Sequence, residues 1–260
     1  MQAHRCARRR CQTIGEKLLE SLLIDAAARL RDDVESYADD LVEQGLVDCI
    51  YNPLVYAWQP HLAYLKQAAE GKAKTLLLGM NPGPHGMGQM GIPFAATAMV
   101  REILEIRDLP VEQPRNLHPK RPVSGLDWPK EEVSGTRLWG LLSDHYGSSE
   151  NILSKVFLVN HCPLMLFSGE RATNITPDKI SGSINRLLLE RCDEHLREIV
   201  DILGITTVIG VGKFAEKRAL KALSNTDVEV KTCWHPSPAS PLANRNGGAD
   251  WRDNVRSVLP

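Results

Sequence analysis

No redox pair or metal-binding framework can be assembled from the cysteines of this chain. The six, Cys6, Cys11, Cys49, Cys162, Cys192 and Cys233, include no C-x-x-C spacing and no zinc-like grouping with histidine. Reduced thiols of an intracellular protein are the expectation. Long apolar runs are missing too. No stretch suits a membrane span, and Arg5, Arg8, Arg9 and Arg10 are not followed by the apolar core of a signal peptide. Neither sign of charge is in excess, with 31 Lys and Arg against 32 Asp and Glu for a net charge of −1. Affinity for a polyanion must therefore come from how charges are placed. Acids are absent from two stretches, Gly71 to Arg101 and Lys231 to Ala249. That suits an anionic ligand nearby and leaves no pair of carboxylates of the kind sugar hydrolases use.

The 260 residues, 43% hydrophobic, can bury one substantial core. We read a flexible basic arm over residues 1–15 and a single domain over 16–260 that opens with a helical extension. From Glu16 to Leu46 apolar residues recur at helical spacing, as in Val34, Tyr37, Ala38, Leu41 and Val42. Four short apolar runs read as strands buried on both faces: Thr75–Gly79, Val156–Val159, Thr206–Val211 and Val228–Cys233. Helical patterns separate them, most clearly Ile184, Leu187, Leu188, Cys192, Leu196, Ile199, Val200 and Leu203. Strands alternating with helices imply a parallel sheet covered by helices. The segment Arg107–Arg137, with Pro110, Pro114, Pro119, Pro122 and Pro129, reads as a long ordered surface loop without regular helix.

In an open parallel sheet, ligands bind outside the carboxyl ends of the strands. Three of the four strand ends carry a hydrogen-bonding side chain on a backbone stiffened by proline: Gly79-Met80-Asn81-Pro82-Gly83-Pro84, Asn160-His161-Cys162-Pro163 and His235-Pro236-Ser237-Pro238. Each alone is ordinary turn chemistry, and together they mark a site. The fourth end, Gly210-Val211-Gly212-Lys213, either offers amides to phosphate or only lets a helix approach a strand.

With these motifs in place, the sequence resembles the single-strand-selective monofunctional uracil-DNA glycosylases, a branch of the uracil-DNA glycosylase superfamily. The match runs through Tyr51-Asn52-Pro53, Tyr56-Ala57-Trp58, the Gly79 to Pro84 loop, Pro93-Phe94, His118-Pro119-Lys120-Arg121-Pro122, Val133-Ser134-Gly135, Asn160, Cys162-Pro163-Leu164 and His235-Pro236-Ser237-Pro238. The resemblance implies an α/β fold: a three-layer α/β/α sandwich with a short, mainly parallel central sheet. It implies catalytic roles for Asn81, which orients water, and His235, which steadies the departing uracil. It implies a base pocket of Met80, Gly83, Met87, Phe94 and Asn160, with Phe94 stacking on the base and Asn160 reading its amide edge. The absence of a bulky side chain at Gly83 leaves room for oxidised pyrimidines such as 5-hydroxymethyluracil.

The resemblance further implies a wedge after His235, formed here by Pro236, Ser237, Pro238, Ala239 and Arg245; the basic character of the proline-rich loop itself puts Lys120 and Arg121 on a phosphate path of the DNA. Two positions depart from the pattern: Ala239 stands where an arginine is expected, and His85 where a phenylalanine is expected. No cofactor or metal is implied. DNA, single-stranded or duplex, is the expected partner, with no membrane, and a monomer is expected. The compartment would be the nucleoid-bearing cytoplasm of a bacterium or the nucleus of a eukaryote. Rival expectations are a relative that excises xanthine or hypoxanthine, a non-catalytic binder of damaged or single-stranded DNA, and a nucleotide-binding module centred on Gly210 to Lys213. No lysine lies in the three core loops, which disfavours a Schiff-base lyase and leaves Lys213 as the nearest amine.

Overall fold

The computed structural model describes the backbone from residue 2 and the side chains from residue 15. Arg5, Arg8, Arg9 and Arg10 of the expected basic arm lie outside the described side chains. The chain begins with helix α1 (Gln2–Glu43), then β1 (Cys49–Tyr51), α2 (Pro53–Tyr56), α3 (Trp58–Gly71) and β2 (Thr75–Gly79). Two short helices follow, α4 (Met87–Met90) and α5 (Thr97–Glu102), then α6 (Val133–Tyr146), α7 (Ser149–Lys155) and β3 (Val156–Asn160). The remainder comprises β4 (Met165–Ser168), β5 (Thr173–Ile175), α8 (Ser183–Leu203), β6 (Thr207–Val211), α9 (Lys213–Ala222), β7 (Glu229–Cys233), α10 (Pro241–Asn244) and α11 (Ala249–Arg256).

The four apolar runs form one all-parallel sheet in the order β3-β2-β6-β7. Strand β2 lies inside it, and Leu76, Leu77 and Leu78 are fully buried, which is why that run does not alternate. At the edge, β7 keeps Glu229 exposed, a charge that discourages pairing with another chain. Helices cover both faces, giving the three-layer α/β/α arrangement. The buried stripe of α8, from Leu188 through Cys192, Leu196, Ile199 and Leu203, recurs every three or four residues and packs on α1 and α9. The helix stops at Gly204, whose left-handed backbone (φ 59°) returns its N–H to the Val200 and Asp201 carbonyls. No described helix is long and apolar enough to cross a membrane.

A second sheet was not visible in the sequence. Strands β1, β4 and β5 pair antiparallel in the order β1-β4-β5. Tyr51, at the end of the edge strand β1, stacks edge-on to Phe167 of the central strand β4 at 5.1 Å. The Tyr51 hydroxyl donates to the Arg121 carbonyl at 2.9 Å and accepts from the His118 amide at 2.7 Å, so this sheet anchors the proline-rich segment. Gln89, buried, adds bonds to the Pro122 carbonyl and from the Ser124 amide. That segment is ordered, as expected, but its irregular part is shorter than Arg107–Arg137. Helix α6 takes over at Val133, four residues past Pro129, where no proline blocks the amide ladder.

Candidate active site

Because β2, β3 and β7 run parallel, their carboxyl ends deliver the three proline-stiffened loops to the same edge of the sheet. There they line an open cleft of about 370 Å³ that includes Met80, Asn81, Gly83, Met87, Phe94, Asn160, His235 and Ser237. The loops hold one another: the His161 amide donates to the Gly79 carbonyl at 3.0 Å and the Cys162 amide to the Met80 carbonyl at 2.9 Å.

The floor is set by glycines that could not be anything else. Gly79 pairs in register with Asn160. A Cβ on Gly79 would lie 2.2 Å from Asn160 Oδ1 and 2.7 Å from the Phe94 ring, so its absence is what lets both reach the cleft. A Cβ on Gly135, in the first turn of α6, would lie 2.2 Å from the Phe94 carbonyl oxygen. Phe94 is 9% exposed and belongs to the main core, yet its ring also faces the cleft. Its backbone is left-handed (φ 54°), a conformation that costs a phenylalanine roughly 1–2 kcal/mol and that the surrounding packing must enforce. Asn160, 7% exposed, donates from Nδ2 only to the soft Met87 sulfur at 3.1 Å. A weak partner of that kind is readily exchanged for a better acceptor.

His235 carries its own protonation assignment. The Ser237 amide donates to His235 Nδ1 at 3.1 Å, so Nδ1 is an acceptor and the neutral ring bears its hydrogen on Nε2. Burial pushes the imidazole below its ordinary value, which keeps it neutral at physiological pH. The ring sits 6.4 Å from that of Phe94, tilted by 43°. The preceding residue is pinned from α11: the Trp234 amide donates to Asn254 at 2.8 Å, and the Trp251 indole donates to the Trp234 carbonyl at 2.9 Å. Asn81 donates from Nδ2 to the Leu164 carbonyl at 3.4 Å, and its Oδ1 has no hydrogen-bond partner among the described residues.

The fourth strand end is scaffold. A Cβ on Gly210 would lie 2.4 Å from the Glu216 nitrogen, the close strand–helix approach that the sequence left as one of two options. Gly212 (φ 90°) makes room for His235, whose Cβ would sit 3.3 Å from a Cβ there. Lys213 pairs with Glu216 at 2.8 Å, and neither residue lines the cleft.

The residues expected to form the wedge follow His235 at the border of the cleft, with Ser237 in its lining, and are called the rim. Ser237 Oγ accepts from the Ala239 amide at 3.2 Å, and Asn244 donates to the Pro238 carbonyl at 2.7 Å. Arg137, which sequence reasoning missed, donates to the Pro236 carbonyl at 3.0 Å and to Asn244 at 2.9 Å. Arg245 is 65% exposed and pairs with Asp250 at 2.9 Å. Lys120 and Arg121 are not in the cleft but line a neighbouring hollow of about 240 Å³ with His85 and Trp128. Arg121 is largely a brace there, donating to the Ala172 carbonyl at 2.7 Å over the Phe167 ring. His85 stacks on Trp128 with centroids 5.6 Å apart and accepts from its indole at 3.1 Å.

One expectation about charge fails in space. The acid-free stretches are not an acid-free site, because the last irregular residues of the proline-rich segment, just before α6, bring Glu132 into the cleft wall. Burial raises its carboxyl above the ordinary glutamate range, against the pull of the nearby His85 and Ser134 N–H groups. Asn174 of β5 and Thr176, just past its end, also line the cleft, and Asn174 Oδ1 is buried without a partner.

The comparisons with known proteins agree with this architecture. The family model for the uracil DNA glycosylase superfamily matches residues 65–253. A single-strand selective monofunctional uracil DNA glycosylase from Bos taurus is 44% identical over 215 residues, covering 82% of this chain and 78% of that protein. The protein of the same description from Mus musculus is 41% identical over 214 residues, covering 82% and 76%. The crystal structure of wild-type SMUG2 from Pedobacter heparinus shares the fold, with a TM-score of 0.58 at 19% identity over 80% of this chain and 86% of that one. The chain therefore belongs to the uracil DNA glycosylase superfamily and, within it, to the single-strand-selective monofunctional branch.

Proposed function

We propose that this protein removes uracil, and oxidised uracils such as 5-hydroxymethyluracil, from DNA by hydrolysing the glycosidic bond, leaving an abasic site in an intact strand. The observation that carries the reading is the fixed tautomer of His235. With Nδ1 occupied by the Ser237 amide, the neutral ring presents an Nε2–H donor to a cleft whose lining also includes the Phe94 ring and the Asn160 amide.

Uracil stretched from its sugar accumulates negative charge over N1 and O2. A pre-set donor at O2 stabilises that charge more in the transition state than in the bound base, an effect typically worth ~2.7–4 kcal/mol of barrier. Phe94 supplies a stacking face, by analogy about 1–3 kcal/mol per base. Asn160 accepts from N3–H and donates to O4, a pattern that cytosine inverts and so fails to match. Asn81 is too weak a base to deprotonate water, and its role is to hold the water in line with the sugar carbon. The partner is DNA, and the chain acts as a monomer with residues 16–260 as its single domain. Lys213, paired with Glu216 outside the cleft, supports hydrolysis over a lyase reaction.

The test is incubation, with chelator present, of the purified protein with end-labelled single-stranded and duplex DNA carrying one uracil, resolved before and after alkali. Strand cleavage only after alkali is expected. Tight binding without product would overturn the reading and send the search to xanthine and hypoxanthine or to a non-catalytic binder. In the same assay Asn81→Ala should nearly abolish excision while leaving DNA affinity about the same. Unchanged excision would remove Asn81 from the mechanism.

A further inference from the structure

We propose that the hollow of about 240 Å³ beside the cleft is a second nucleotide subsite, in which a base flanking the extruded one in single-stranded DNA lies against the His85 and Trp128 rings and its phosphate meets Lys120 and Lys130. The inference rests on the reading that a DNA strand delivers uracil to the cleft. Pro84 lines both spaces, so a single residue of the Gly79 to Pro84 loop stands between them at that point. A strand with one base in the cleft therefore brings a neighbour within reach of the hollow.

The lining joins aromatic rings to the cations Lys120, Arg121 and Lys130 and contains no acid, the combination by which proteins hold single strands. The acids nearby in sequence are engaged elsewhere. Asp127 pairs with Arg101 at 2.7 Å, and Glu131 accepts from the Ala98 amide at 3.0 Å. Glu132 accepts from the His85 amide and lines the cleft instead. Arg121 is held by the Ala172 carbonyl, which leaves the exposed Lys120 and Lys130 to meet a phosphate.

The planes of the His85 and Trp128 rings lie within 14° of each other, and the indole N–H donates to His85 Nδ1 at 3.1 Å, so the two rings form one tied platform. A phenylalanine at position 85 could not accept that hydrogen bond, which gives the departure at His85 a use. Burial, with the charges of Lys130 and Arg121, holds the imidazole below its ordinary value, and with Nδ1 an acceptor the neutral ring carries its hydrogen on Nε2. The walls are fixed before any ligand arrives. Buried Gln89 donates to the Pro84 and Pro122 carbonyls, each at 3.0 Å, and Thr97 donates to the Trp128 carbonyl at 3.0 Å. A preformed platform reduces the ordering cost of binding. In a duplex the flanking bases stay paired and stacked, so the subsite acts on single strands.

The experiment measures kcat/KM for uracil release from single-stranded DNA in which one flanking nucleotide at a time, upstream or downstream, is replaced by a base-free spacer, for the wild-type protein and His85→Ala. In the wild type one of these spacers should lower kcat/KM about tenfold, the scale of one stacked base. In His85→Ala, already about tenfold weaker on the unmodified strand through KM, the same spacer should matter by less than about twofold. No spacer effect in the wild type, or an equal effect in both proteins, would overturn the proposal and make the ring pair a brace for the proline-rich segment. Should His85→Ala not fold, Lys130→Ala, at an exposed position, provides the second route. It should reduce the slope of log affinity against log salt on single-stranded DNA by about one ion, and an unchanged slope would overturn the proposal. Failure of the wild-type protein to release uracil from any strand would instead sink the functional reading, a result distinct from normal release that is indifferent to the spacers.

Discussion

The floor of the cleft and its rim are built on opposite terms. On the floor, Gly79, Asn160 and Phe94 meet with no room for a methyl group, and the two side chains are almost wholly buried. On the rim, Pro236 to Arg245 is held by hydrogen bonds to backbone carbonyls and by the exposed Arg245–Asp250 pair. A close-packed floor fixes a base to within fractions of an ångström, which is what discrimination and charge stabilisation require. A rim held by polar contacts can yield to a strand whose path varies. Base identity should therefore be sensitive to packing substitutions, and strand engagement to rim charges.

The largest effect should come where floor and rim meet. His235→Ala removes the Nε2–H donor and should slow single-turnover excision by about 10²–10³-fold with DNA affinity retained. Weak binding with a normal chemical step would instead place His235 among the docking residues. Next is Gly79→Ala, which should displace Asn160 or Phe94 and slow excision by on the order of 10²-fold. It should also destabilise the fold by about 1–3 kcal/mol through overpacking. Gly140→Ala is its control. A Cβ at that position, within α6, meets nothing within 4 Å, so the change should be neutral or gain up to about 1 kcal/mol from helix propensity. Equal behaviour of the two variants in melting and excision would erase the distinction between floor and scaffold.

The floor was more legible in the sequence than the rim, for physical reasons. Strands buried on both faces leave uninterrupted apolar runs, and proline after such a run marks a loop that must hold its shape. Hence Asn81, Asn160 and His235 could be picked out before any geometry was known. Strands of three or four residues, such as β1, β4 and β5, are too short to show alternation, so the sheet that brings Asn174 and Thr176 to the cleft was invisible. Glu132 was hidden by its setting. It closes the irregular part of a proline-rich segment that reads as surface loop, and its one clue is its place immediately before the α6 helical pattern, where acids are favoured by the helix dipole. Arg137 reads as an ordinary charged helical residue, since its partners, backbone carbonyls and the Asn244 side chain, lie far along the chain.

Acid should attack the floor from behind. His61 and His195 border a small apolar cavity of about 30 Å³ that also touches Asn160 and Pro93. Burial lowers His61 from 6.5 to about 4 and His195 to about 3. Both folded values lie below the unfolded one, so below pH 6.5 the unfolded chain takes up protons that the folded chain refuses. Stability is full above that pH and declines on acidification, levelling only as the folded values are approached. Between pH 6.5 and 5 each histidine should account for a loss of roughly 2 kcal/mol. Thermal melts of the wild type and His195→Leu at pH 7 and 5 would check this, the variant losing less on acidification. An identical decline in both would assign the acid sensitivity to other groups.

The smallest effect belongs to the rim. Arg245 is exposed and its pair with Asp250 is of the kind that contributes little to folding, about 1 kcal/mol at most, so Arg245→Ala should barely move the melting temperature. If the side chain leaves Asp250 to meet phosphate, the variant should weaken single-stranded DNA binding a few-fold and reduce the slope of log affinity against log salt by about one ion. An unchanged slope would keep Arg245 on Asp250 in the complex. Contact with the strand would then fall to the Pro236-Ser237-Pro238 backbone, which Arg137 and Asn244 already hold in place, and which carries no charge for salt to screen.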